Sequence, residues 1–106
     1  IRPALYDSEY AVVPVDRPNA VRNHTVTVAG KFCESGDVLA RDVDLPDVET
    51  GELLALPASG AYCLMMASNY NMQTRPAVVM VNDGEARVIR RRETYSDLLA
   101  SSLDLD

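Results

Sequence analysis

A mainly β chain, folded as a small Greek-key-like barrel or sandwich with a short helix at its C-terminal end, is the architecture this sequence predicts. Three observations predict it. Short runs of β-branched residues alternate with polar ones, the period-2 mark of half-buried strands. Gly, Pro, Asn and Asp interrupt those runs at close intervals, as they do in small all-β domains. After Arg92 the alternation gives way to helical spacing.

The elements follow in order. Val15 to Arg22, with Pro14 and Pro18, is the loosest segment. His24-Thr25-Val26-Thr27-Val28 reads as a strand, which Ala29-Gly30 loosens before a loop around Cys33. Val38 to Asp42 reads as a short strand or strand edge, and Pro46 to Gly51 as a loop. Leu53 to Leu56 is a short apolar run stopped by Pro57 and a Ser59-Gly60 turn. Ala61 to Ala67 fits a strand or a buried helix, because periodicity alone does not separate the two. Ala77 to Val81 and Glu85 to Ile89 flank Asn82-Asp83-Gly84. An Asp-Gly step between two β-rich runs predicts a hairpin, since Gly takes positive φ without a steric penalty. Thr94 can cap a helix from Tyr95 to Ser102 with Asp97 at its third position, ahead of a frayed Asp104 to Asp106 tail.

Bulk properties narrow the function classes. A chain of 106 residues forms one domain, residues 1–106, with a modest core. The net charge of −6 argues against a nucleic-acid partner. The one basic run, Arg90-Arg91-Arg92, reads as a solvated strand end pairing with local acids. Two cysteines are not a disulfide framework, and two free thiols fit a reducing cytoplasm. No apolar run is long enough to span a bilayer, so no membrane partner is expected. His24 is the single histidine, and without nearby Cys or acid spacing no metal site is expected. The chain opens without Met in a motif-like stretch, so Ile1 reads as a cut point.

Cys33-Glu34-Ser35-Gly36-Asp37 carries the most chemistry. A thiol can deliver a proton, and a carboxylate beside it can hold a cationic group. The competing readings are a small buried hydrophobe for Cys33 and a solvated loop acid for Glu34. Arg2 and Tyr6, four apart around Pro3, read by themselves as a surface ion pair and a packed ring. Tyr62 reads as a core tyrosine with its hydroxyl at the surface.

Around that run stand Arg2-Pro3-Ala4-Leu5-Tyr6, Gly60-Ala61-Tyr62, Ser68-Asn69-Tyr70-Asn71, Arg75-Pro76-Ala77 and Arg91-Arg92-Glu93-Thr94-Tyr95. In this order and spacing the set resembles the C-terminal domain of the diaminopimelate decarboxylases, pyridoxal-phosphate-dependent members of the alanine-racemase-like decarboxylases. The resemblance covers nearly the whole chain. It implies that Cys33 returns a proton to the carbon that loses CO2, and that Glu34 binds the distal ammonium of a diamino-acid substrate. Ornithine-type relatives typically carry Asp after this Cys, so Glu34 fits the diaminopimelate branch. Arg2 would grip a substrate carboxylate, Tyr6 would add a hydroxyl, and Tyr62 would reach the cofactor's phosphate. Asn69, Tyr70 and Asn71 match a segment near the subunit interface and are given a structural role. Relatives often read Asp-Ala-Tyr-His where this chain has Asp7-Ser8-Glu9-Tyr10, so no role carries over to residues 8–10.

The same resemblance implies partners. Lys31 is the single lysine and does not sit in the family's cofactor-lysine motif. The covalent lysine and the glycine-rich phosphate site belong to an N-terminal (β/α)8 barrel absent from this chain, and the enzyme is a homodimer with shared sites. The chain then reads as part of an enzyme making L-lysine and CO2 from meso-diaminopimelate, and as inactive alone. The alternatives are the same domain of an ornithine, arginine or carboxynorspermidine decarboxylase, or a β-barrel binding or assembly module without catalysis.

Overall fold

A computed structural model describes residues 6–103 of the chain. The described residues fall into two compact units that divide between Met66 and Ala67. The first holds β1 (Val13–Pro14), β2 (His24–Ala29), β3 (Val38–Leu45), β4 (Leu54–Ala55) and a helix α1 (Gly60–Met65). The second holds a 3-10 turn (Tyr70–Met72), β5 (Val78–Asn82), β6 (Glu85–Arg90) and α2 (Tyr95–Leu99). The mainly β character with short helices is as the sequence predicts. Closure is not: the described strands pair antiparallel two by two, β1 with β4, β2 with β3 and β5 with β6, and form no closed barrel.

In the first unit Val12, Ala40 and Leu45 are buried, and Val26, Val28, Val43, Leu54 and Leu56 pack on them. Val26 and Val28 are the half-buried positions of β2, while Thr25, Thr27 and Ala29 face solvent, as the alternation requires. β3 runs three residues further than the sequence suggests, and the reason is a β-bulge. Val26 pairs with Val43 and Val28 with Ala40, so Arg41 and Asp42 together oppose Thr27. Asp42 takes φ 49°, a left-handed value that Asp tolerates better than most residues. The extra residue shifts the alternation, and Ala40, Val43 and Leu45 turn the same face to the core. A period-2 pattern read without the bulge ends at Asp42.

The segment left open between strand and buried helix is the helix α1, and none of its residues is buried. In the second unit the β5–β6 hairpin turns through Asp83 at φ 49° and Gly84 at φ 79°, with Asn82 opposite Glu85. Two central residues of positive φ make the turn whose twist matches its strands. α2 begins on a capping box in which Thr94 Oγ1 accepts from Asp97 N, and Asp97 accepts from Thr94 N. It ends at Leu99, three residues before the expected end, and Leu99 and, beyond the helix, Leu103 are exposed. The residues from Asp104 onward lie outside those described.

Candidate functional site

Residues 30–37 join β2 to β3 and carry Cys33 and Glu34. Gly30 N donates to Asp37 O at 2.8 Å, and Asp37 N donates to Glu34 O at 3.1 Å. Two side chains take up turn amides: Asp37 Oδ2 accepts from Phe32 N at 2.9 Å, and Glu34 Oε1 accepts from Gly36 N at 2.9 Å. Such local bonds are how Asp and Glu stabilise a turn that leaves the ladder. Cys33 and Glu34 are both exposed. Cys33 is therefore not a packed core residue, and the hairpin tip offers a thiol and a carboxylate side by side. An exposed thiol can meet a ligand, and a proton can leave it without the backbone moving.

A second group forms on the same unit. The Tyr6 and Tyr62 rings lie 6.4 Å apart between centroids, tilted by 54°, and the two residues are 59% and 67% exposed. Tyr62 stands on α1, so it is a surface helical tyrosine and not a core residue of a strand. Next to it Cys63 contacts Tyr10: burial and then the neighbouring thiol push the Tyr10 phenol up from its ordinary value, and Ser8 pulls it down. Arg2 lies outside the described residues. A cleft of about 620 Å³ opens between residues 7–11 and the β3 bulge at 40–43. Cys33, Glu34, Tyr6 and Tyr62 are not among the residues that line it.

The other polar clusters are structural. Arg17 grips Glu52 with Nε to Oε1 at 2.9 Å and Nη2 to Oε2 at 2.8 Å, and also bonds the Asp47 carbonyl. Glu52 in turn accepts from Glu49 N at 3.0 Å. The Arg17 fork, with the Glu49 amide, holds the Glu52 carboxyl below its usual range. This clamp ties the segment expected to be loosest to the loop before β4, and nothing in local sequence marks a pair 35 residues apart. In the second unit Glu93 accepts from Arg75 N at 2.8 Å, Arg75 Nη1 at 2.9 Å and Asn69 Nδ2 at 2.7 Å. The structural role expected for Asn69 is what it has there. Arg90 reaches Glu93 at 3.4 Å, and Arg91 forks Asp97 at 2.7 and 2.6 Å, so the basic run does pair with local acids. Among the described residues no set of three or more His, Cys, Asp or Glu side chains is placed to hold a metal ion. No helix there is long and apolar enough to cross a membrane.

The chain as a whole is similar to known proteins. Residues 1–60 match the family described as pyridoxal-dependent decarboxylase, C-terminal sheet domain. The chain is 50% identical over 105 residues to the diaminopimelate decarboxylase of Bacillus subtilis, covering 99% of this chain and 24% of that one. It is 60% identical over 99 residues to the diaminopimelate decarboxylase of Actinosynnema pretiosum, covering 92% and 22%. The crystal structure of diaminopimelate decarboxylase from M. jannaschii in co-complex with L-lysine superposes with a TM-score of 0.85 at 40% identity, over 98% of this chain and 24% of that one. The chain thus spans about a quarter of the length of the relatives it matches.

Proposed function

This chain belongs to the pyridoxal-dependent decarboxylases, as their C-terminal sheet domain, and from that premise we propose that it serves a diaminopimelate decarboxylase as its substrate-recognition and proton-donating part. The parent reaction removes one carboxyl of meso-diaminopimelate as CO2 and leaves L-lysine. The observation that carries this reading is the pairing of Cys33 with Glu34 at the exposed tip of the β2–β3 hairpin.

Each residue then has a role its chemistry permits. Cys33 Sγ–H gives a proton to the carbon that loses CO2. The Glu34 carboxylate binds the distal ammonium through a charge-assisted hydrogen bond. Arg2 and Tyr6 hold a substrate carboxylate with a planar fork and a hydroxyl. Tyr62, exposed on α1 beside Tyr6, has a hydroxyl able to donate to a phosphate oxygen, which fits a supporting contact to pyridoxal phosphate. The bound cofactor supplies the electron sink for loss of CO2. Its covalent lysine comes from an N-terminal (β/α)8 barrel, so residues 1–106 act as one domain of a larger enzyme and are inactive alone. Strands from the rest of that enzyme complete the sheets into a barrel. The working unit is a cytoplasmic homodimer, in which Cys33 and Glu34 reach the partner's site while Arg2, Tyr6 and Tyr62 serve their own.

Cys33→Ala in the full-length enzyme tests the reading. A proton donor acts in the transition state, so kcat falls on the order of 10²-fold with a smaller change in KM. An unchanged kcat would assign Cys33 no part in the chemistry.

A further inference from the structure

We propose that Asp37, seated against Gly30, is the positioning residue for Cys33 and Glu34, bonding the backbone of the residue on each side of the thiol. The proposal rests on the functional reading of Cys33 and Glu34 given above. Cys33 is exposed on this domain, so packing within the domain does not set where its thiol stands. What sets it is the loop backbone, and Asp37 bonds that backbone at three points. Its main-chain oxygen accepts from Gly30 N at 2.8 Å, its main-chain N–H donates to Glu34 O at 3.1 Å, and its Oδ2 accepts from Phe32 N at 2.9 Å. Phe32 and Glu34 are the residues immediately before and after Cys33. A loop held by a few bonds at the low-stability end of a structure loosens readily when one is lost.

Gly30 belongs to the same device. A Cβ at that position would lie 2.0 Å from Asp37 Oδ2 and 2.3 Å from its Cγ. The glycine is needed there for space: any side chain drives out the carboxylate that holds Phe32 N. Asp37 therefore acts through the loop. Its carboxylate is taken up by a backbone amide next to the thiol, a bond strengthened by its charge.

The test uses the full-length enzyme that carries this domain. Asp37→Ala and Gly30→Ala each lower kcat by about 10-fold or more, the effect of losing one charge-assisted hydrogen bond, with less change in KM. The double variant is no worse than either single one, because both remove the same contact. Asp37→Asn keeps a carbonyl acceptor for the Phe32 amide and recovers most of the loss. Deuterium uptake over residues 30–38 rises in Asp37→Ala and Gly30→Ala but not in Asp37→Asn, and uptake in the β5–β6 hairpin stays as in the parent, which excludes general unfolding. Unaltered kcat in Asp37→Ala, additive losses in the double variant, or an Asp37→Asn enzyme as impaired as Asp37→Ala would overturn the proposal. Unchanged uptake over residues 30–38 in Asp37→Ala overturns the brace and leaves the role of Cys33 standing. Indifference of kcat to Cys33→Ala overturns the functional reading, and with it any site for Asp37 to position.

Discussion

The two long hairpins solve one problem in opposite ways. β5–β6 turns in two residues, Asp83 and Gly84, both at positive φ, and no residue in either strand is buried. β2–β3 turns in residues 30–37, carries a bulge at Arg41–Asp42 and lays Ala40 and Leu45 into the core. The first is specified by its turn chemistry and needs little else. The second is specified by its core face, which leaves its loop free to hold groups that packing would not tolerate. The side chains proposed to act, Cys33 and Glu34, sit on the hairpin anchored by its strands, and the hairpin anchored by its turn carries none of the expected site residues. Loops that carry chemistry are usually built so, on a scaffold that does not depend on them.

Substitutions test that contrast. The largest effect is expected at the wide hairpin and in function alone. Glu34→Gln in the full-length enzyme lowers kcat/KM for diaminopimelate by roughly 10- to 100-fold, and by less for analogues without the distal amine. Steady-state kinetics on both substrates decide it, and equal losses would deny Glu34 the role of selector. The thermal midpoint stays close to the parent value, since Glu34 is exposed.

The narrow hairpin gives the reverse. Gly84 stands at φ 79°, where an L side chain costs about 1–2 kcal/mol. Gly84→Ala lowers unfolding stability by about that amount, read from denaturant midpoints, and leaves kcat/KM in place. A loss of activity at constant stability would mean that the hairpin has a part in the site.

A smaller loss follows at α2. Thr94→Ala removes a capping box and costs about 1 kcal/mol, measured the same way. An unshifted midpoint would show that the five residues Tyr95–Leu99 are held by other contacts than their cap.

Acid probes the same unit without mutation. The Arg75 backbone N–H and then Asn69 hold the Glu93 carboxyl below its ordinary value of 4.5. The Arg91 fork and the Thr94 bonds hold Asp97 well below 3.8. Both pKa values are depressed on folding, so each contributes stability that is fully present above the unfolded value and is lost as pH falls through the folded one. Stability of the second unit thus declines as pH drops below about 4.5, first through Glu93 and then through Asp97. In Glu93→Gln the upper part of that decline disappears. A pH–stability curve for this variant that overlays the parent's would remove Glu93 from the account.

Features that rest on neighbours in the chain were legible before folding. The Asp83-Gly84 turn, the Thr94–Asp97 box, the face of β2 and the side-by-side thiol and carboxylate of Cys33 and Glu34 are local, and local backbone preference is enough to write them. Tertiary structure alone decided the rest. The bulge at Asp42 lengthened β3 because core burial of Val43 and Leu45 outweighs an unbroken alternation. α1 is a helix in a segment whose apolar pattern fits a strand equally well, since periodicity over so few residues does not discriminate. The Arg17–Glu52 clamp and the Glu93 hub join residues 35 and 18 positions apart, and no local pattern encodes such a pairing. Asp37 belongs with them. Its place in the run after Cys33 was legible, but the fit of its carboxylate over Gly30 and onto Phe32 N depends on how β2 and β3 enter the loop, a geometry that exists only once the two strands have paired.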